Sequence, residues 1–203
     1  MAEAVTVSDN PTATMVAVVQ HNAGTDVEQN LSTLETLSAQ AASEGAQLVT
    51  WAEAFAYLGR HDGKKDILES LPEGGPILER CQRLARRLNC DLLLGGFHEA
   101  MPGDTERCYN TSVYLNSRGE ITAMYRKIHL FDVSIPSGPQ LMESKQTGPG
   151  DQAICVETLL GTLGLTICYD VRFPALYQRL VEKGAMALTV PSAFTATTGA
   201  AHW

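Results

Sequence analysis

Short apolar runs bounded by turn residues alternate with stretches that carry an apolar side chain every third or fourth position. The run Met15-Val16-Ala17-Val18-Val19-Gln20 predicts a buried strand. Val27, Leu31, Leu34, Leu37 and Ala41 then recur at helical spacing, with Thr25 or Asp26 able to cap the start and Gly45 closing the segment. Gln47 to Trp51 reads as the second strand. A second helix opens at Pro76, after Gly74-Gly75, where a missing N–H costs nothing. Its apolar face is Ile77, Leu78, Cys81, Leu84, Ala85 and Leu88, and Asp91 to Phe97 follows as a third strand.

The middle changes character. Thr111 to Leu115 and Ile121 to Tyr125 flank Asn116-Ser117-Arg118-Gly119-Glu120, which predicts a hairpin. Asp132 to Gly150 is rich in Pro, Gly and Ser and reads as an ordered loop. Strands are predicted at Ala153 to Val156 and Leu163 to Ile167, then a helix from about Pro174 to Glu182. Met186 to Val190 is a last strand, stopped by Pro191-Ser192. This order predicts one domain of mixed sheets with helices outside. Residues 1–14 are small and polar and read as a loose tail before a domain spanning 15–203.

At 203 residues and 44% hydrophobic, the chain can bury one substantial core. The formal charge is −8, and Arg83, Arg86 and Arg87 fall on the solvated face of a helix pattern. An acidic chain without a basic stripe excludes nucleic acid as the expected partner. No apolar run approaches the roughly 18 residues a membrane span requires. Five cysteines, an odd number with no CxxC pair, argue against a disulfide framework or a structural zinc site. A reducing cytoplasm is the compartment they predict.

Three reactive residues lie just past apolar strands: Glu53, Lys127 and Cys168. Strand tips are where open sheets gather their sites. A strand cysteine is otherwise most often an inert core thiol. Before a helix start, however, backbone N–H groups can lower its pKa and hold an oxyanion. A carboxylate, an ammonium and a thiol together make a hydrolytic set. The acid takes the thiol proton and later activates water, the amine stabilises negative charge, and the thiolate forms a thioester. Glu53 alone could be a surface carboxylate, although apolar Trp51-Ala52 and Ala54-Phe55-Ala56 flank it. Lys127 could be part of a solvated pair with Arg126. His129 offers a competing base for Cys168, which defines an alternative Cys–His hydrolase; His98 and Glu99 could line the same rim. Glu143, in Leu141-Met142-Glu143-Ser144, is by default solvated.

In combination these stretches resemble the nitrilase superfamily of carbon–nitrogen hydrolases. The matching segments are Trp51 to Phe55, Tyr125 to Asp132, Cys168 to Pro174, Pro191-Ser192-Ala193-Phe194 and Gly199 to Trp203. The 41-residue step from Lys127 to Cys168 also fits. The resemblance implies an α-β-β-α sandwich, with Glu53 as base, Lys127 as oxyanion stabiliser, Cys168 as nucleophile and Glu143 as a second glutamate holding Lys127. It places the Tyr169 backbone N–H in the oxyanion hole and Ser192 and Phe194 against the substrate. It implies no metal or cofactor, a small-molecule amide substrate, and a homodimer or higher homo-oligomer with Arg172 and Tyr177 as interface or structural candidates. The stretch Tyr125 to Pro136 resembles the branch acting on α-keto amides, such as ω-amidase and amidases of deaminated glutathione; N-carbamoyl amino acid amidohydrolases are an alternative. Members of the superfamily continue past the final His-Trp, so the chain is expected to be a C-terminally incomplete domain of low stability or weak activity. A non-catalytic scaffold on the same fold is the remaining alternative.

Overall fold

In the computed structural model, which describes residues 14–134 and 140–202, the apolar runs fall into two principal sheets. The larger holds β1 (Val16–Val18), β2 (Leu48–Thr50), β3 (Asp91–Ala100), β4 (Cys108–Leu115) and β5 (Ile121–Arg126), side by side in chain order. The first three are parallel, connected through α1 (Val27–Ser43) and, between β2 and β3, α2 (His61–Lys65) and α3 (Pro76–Leu88). β3, β4 and β5 form an antiparallel meander that includes the predicted hairpin. A two-stranded ribbon, β6 (Asp132–Ser134) and β7 (Gln140–Met142), precedes the smaller sheet. That sheet contains β8 (Cys155–Thr158), β9 (Gly161–Leu165) and β10 (Ala187–Thr189), ordered β10-β9-β8. Helix α4 (Pro174–Glu182) links β9 to its parallel neighbour β10, and α5 (Ala196–His202) follows.

Strand alternation explains the layering. Val49, Leu92, Leu94, Val113 and Leu115 face α1 and α3, burying Leu31, Leu34, Leu78 and Leu84. Leu48, Leu93, Tyr114 and Tyr125 face the other way and meet Val156, Leu163 and Leu165 of the second sheet, with Leu176 and Leu180 of α4 beyond. The result is the α-β-β-α sandwich. A one-residue slip in β3 would exchange Leu93 for its neighbours and mismatch both cores. Each large apolar side chain buried here contributes roughly 2 kcal/mol.

Helix ends follow local chemistry. Asp26, rather than Thr25, caps α1, its Oδ1 accepting the Gln29 N–H at 3.0 Å. Glu69 accepts the Ile77 and Leu78 N–H groups at 2.6 and 3.0 Å, satisfying the first turn of α3.

Several predicted bounds differ. β8 and β9 are displaced by two residues from the predicted 153–156 and 163–167, because Thr158 to Gly161 closes a tight hairpin with Gly161 at φ 85°. The stretch read as a loop from 132 to 150 contains the β6–β7 ribbon and a 3-10 turn, Glu143–Lys145; its residues 135–139 lie outside the described residues. The segment after Pro191-Ser192, for which no element was predicted, contains helix α5, started by reciprocal hydrogen bonds between Thr195 and Thr198. Of the predicted tail, residues 1–13 lie outside the described residues, as does Trp203. All five cysteines are free thiols. Among the described residues, no helix is long and apolar enough to cross a membrane.

Candidate active site

Glu53 reaches the site because β3 lacks side chains where the turn after β2 crosses it. The β3–β4 register shifts between Leu94 and Phe97, at Gly95-Gly96. A Cβ on Gly95 would sit 2.1 Å from the Trp51 carbonyl oxygen, and one on Gly96 2.8 Å from the Ala54 nitrogen. Bare backbone therefore lets residues 51–54 lie on the sheet. Ala54, at φ 58°, completes a turn that a side-chain-bearing residue rarely adopts. Glu53 is buried, and its Oε2 accepts the Ala193 N–H at 2.8 Å.

Lys127 follows β5, and its N–H donates to the Asn110 carbonyl at 2.9 Å. It is 2% exposed, so the solvated-pair alternative does not hold. Nζ donates at 3.0 Å to Glu53 Oε1 and at 3.0 Å to both Glu143 oxygens. Glu143 is braced in turn by the Phe131 N–H at 2.7 Å, so it is not merely solvated. Burial disfavours the ammonium, but Glu53 and Glu143 outweigh that and hold its pKa above the usual lysine value. Lys127 is therefore charged across the physiological range.

Cys168 opens a 3-10 turn, Cys168–Arg172, with φ 49°. Its N–H donates to the Pro191 carbonyl at 2.9 Å, tying the turn to the end of β10. Left-handed backbone at a non-glycine residue marks stored strain; of three such residues among those described, Ala54 and Cys168 flank this cluster, and Asn89 ends α3. The thiol contacts Glu53. Burial and the Glu53 charge push its pKa up to about 12, only partly opposed by Lys127. In this resting arrangement the protonated thiol is favoured, because desolvation and an adjacent carboxylate outweigh one ammonium.

A buried carboxylate welds these parts together. Asp170 Oδ1 accepts the His129 N–H at 3.0 Å and pairs with His129 Nδ1 at 2.7 Å. Its Oδ2 accepts the Tyr125 hydroxyl at 2.7 Å and the Ile167 N–H at 2.9 Å. The Cys168 turn is thereby fastened to the segment carrying Lys127. His129 is occupied by Asp170 and stacks on Phe173 at 3.7 Å, while His98 Nε2 pairs with the Tyr57 carbonyl at 2.9 Å. Glu99, buried, pairs with Arg126 and accepts the Thr111 hydroxyl. These contacts remove His129, His98 and Glu99 from the reactive cluster.

A cleft of about 1040 Å³ opens beside Glu53, with Trp51, Ser192, Ala193 and Phe194 in its wall; Lys127 and Cys168 are not part of that wall. Ser192 Oγ donates to the Val190 carbonyl at 3.0 Å, and Phe194 is 40% exposed. Tyr169 lies in the first turn beyond the thiol, its ring edge-on to Phe131 at 4.9 Å. Arg172 is exposed, whereas the Tyr177 hydroxyl pairs with Thr166 at 2.9 Å. Among the described residues, no group of three His, Cys, Asp or Glu side chains could hold a metal.

Two residues of the cluster were not singled out from the sequence. Asp170 lies within the Cys168 to Pro174 segment, but three of its four acceptor contacts are made across the fold. Asn110 lies mid-strand in β4, and its Nδ2 donates to Glu53 Oε1 at 2.8 Å. Only its register opposite His98 could have flagged it.

A two-sheet sandwich with Glu, Lys and Cys gathered at the strand ends defines the class, and sequence comparison agrees. The carbon-nitrogen hydrolase family signature covers residues 15–203, and the chain belongs to that family. Among individual relatives, it is 44% identical over 192 residues to the deaminated glutathione amidase of Homo sapiens, and 38% identical to that of Synechocystis. These alignments cover 93% of this chain, but 58% of the human protein and 70% of the cyanobacterial one. The chain therefore spans less than two thirds of the human relative's length. In solved structures, the Caenorhabditis elegans NitFhit protein superposes with a TM-score of 0.84 at 37% identity, over 93% of this chain and 46% of that one. A Saccharomyces cerevisiae nitrilase-superfamily member gives 0.79 at 32% identity, over 93% and 67%.

Proposed function

We propose that this protein hydrolyses a small linear amide through a Cys168 thioester. The observation that carries the reading is the contact of one buried carboxylate, Glu53, with both the Lys127 ammonium and the Cys168 thiol. Because the thiol rests protonated, attack requires a base. Glu53 takes the S–H proton as sulfur bonds to the amide carbon. The carbonyl oxygen becomes an oxyanion facing the Lys127 ammonium and the Tyr169 N–H. Collapse breaks the C–N bond, and Glu53 returns the proton to departing ammonia or amine. Water then attacks the thioester, giving its proton to Glu53; the thiolate leaves as the acid forms and is reprotonated by Glu53. Glu143 keeps Lys127 in place throughout, and Ser192 and Phe194 flank the bound acyl group.

The substrate class favoured is an α-keto amide of the deaminated glutathione type, supported by the named relatives in animals and cyanobacteria. ω-Amides and N-carbamoyl amino acids are the competing substrates. The working form is a homodimer in the cytoplasm, in keeping with an acidic chain and five unpaired cysteines. The test is ammonia release from a panel of amides, including α-keto amides, beside a Cys168→Ala control. The expected result is release from an α-keto amide, a Cys168 acyl adduct detected by mass, and neither in the control. Equal release by the control would refute the nucleophile assignment.

A further inference from the structure

We propose that Asn110 is a positioning residue that aims Glu53 at the thiol; this rests on the Glu53–Cys168 reading above. Glu53 has two oxygens with different duties. Oε1 accepts both Lys127 Nζ at 3.0 Å and Asn110 Nδ2 at 2.8 Å. Oε2 accepts the Ala193 N–H at 2.8 Å. A carboxylate beside a lone ammonium can swing to offer it both oxygens. The Asn110 amide, bound to the same Oε1, opposes that rotation and keeps Oε2 on the Ala193 N–H.

Asn110 is itself rigidly held. It lies within β4, paired with His98 on one side, and its own carbonyl accepts the Lys127 N–H at 2.9 Å. One residue thus grips the acid with its side chain and the amine with its backbone, so the two move as a unit. The amide orientation is set by its partner, since the reverse would press two acceptors together. Oδ1 is buried with no partner among the described residues. A residue serving packing alone would be better apolar there, because an orphaned buried acceptor is unfavourable. Gly96 provides the room: a Cβ there would lie 2.8 Å from Oδ1.

The experiment measures the rate at which iodoacetamide alkylates Cys168, followed by peptide mass between pH 5 and 9, with the half-buried Cys155 as internal reference. Near-isosteric Asn110→Leu removes the donor. Loss of a hydrogen bond to a charged group predicts alkylation slower by roughly tenfold to a hundredfold. Asn110→Asp guards against a folding defect. Protonated, its carboxyl donates as the amide does; ionised, it repels Glu53. The variant-to-wild-type rate ratio therefore falls as pH rises. A wild-type rate in Asn110→Leu, or a flat ratio in Asn110→Asp, overturns the proposal while leaving the nucleophile reading intact. A wild-type Cys168 no more reactive than Cys155 overturns both.

Discussion

Replacing Lys127 by Met removes one ammonium from between two carboxylates and leaves an apolar chain of similar length. Three 3.0 Å contacts disappear, one to Glu53 and two to Glu143. At an effective dielectric near 20, a charge pair at that distance is worth roughly 5 kcal/mol. Two pairs therefore favour the native site by about twice that, against a burial cost of several kcal/mol per ion. Breaking such a pair typically costs about 3–5 kcal/mol, most of it from the charges left without a partner. That is a large share of the roughly 5–15 kcal/mol that holds a domain folded. Without Lys127, Glu53 and Glu143 are left as two facing carboxylates. Removing one of those charges by adding Glu53→Gln to Lys127→Met should recover part of the loss. Urea unfolding of the three proteins reads this out. A destabilisation unrelieved by Glu53→Gln would refute the account of Lys127 as counter-ion to both acids.

Two further outcomes are expected. Burial, assisted by Lys64, lowers the His98 pKa from 6.5 to about 4, so the native state holds the neutral ring. The unfolded chain gains a proton below pH 6.5 that the folded chain refuses, and stability falls as pH drops from 6.5 through 4, by on the order of 3 kcal/mol. His98→Gln should flatten that interval in thermal melts; an unchanged slope would assign the acid sensitivity elsewhere. Gly96→Ala places a methyl 2.8 Å from both the Ala54 nitrogen and Asn110 Oδ1. It should cost about 1–3 kcal/mol in urea unfolding and slow Cys168 alkylation, since the Glu53 turn must lift; normal stability and reactivity would show that the turn has slack.

Legibility differed between elements for physical reasons. α1, α3 and α4 were readable because a buried stripe recurs every 3.6 residues and Asp26, Pro76 and Pro174 mark starts. α5 was not, because a small-residue segment lacks that stripe and its start depends on Thr195 and Thr198 bonding each other. Glu53, Lys127 and Cys168 could be named because each lies in a recognisable local stretch, and Glu143 only through the resemblance those stretches carry. Asn110 could not, since an asparagine within a strand looks the same whether it meets solvent or a carboxylate.

By itself the amino-acid order determined the layers and the reactive side chains, because periodicity and local motifs are properties of neighbours in the chain. The thiol's protonation state, the engagement of His129 by Asp170, and the grip of Asn110 on Glu53 were decided by tertiary structure. Each depends on burial or on partners brought together from distant segments: 41 residues separate His129 from Asp170, and 57 separate Glu53 from Asn110. Desolvation and hydrogen-bond geometry exist only once those segments have packed.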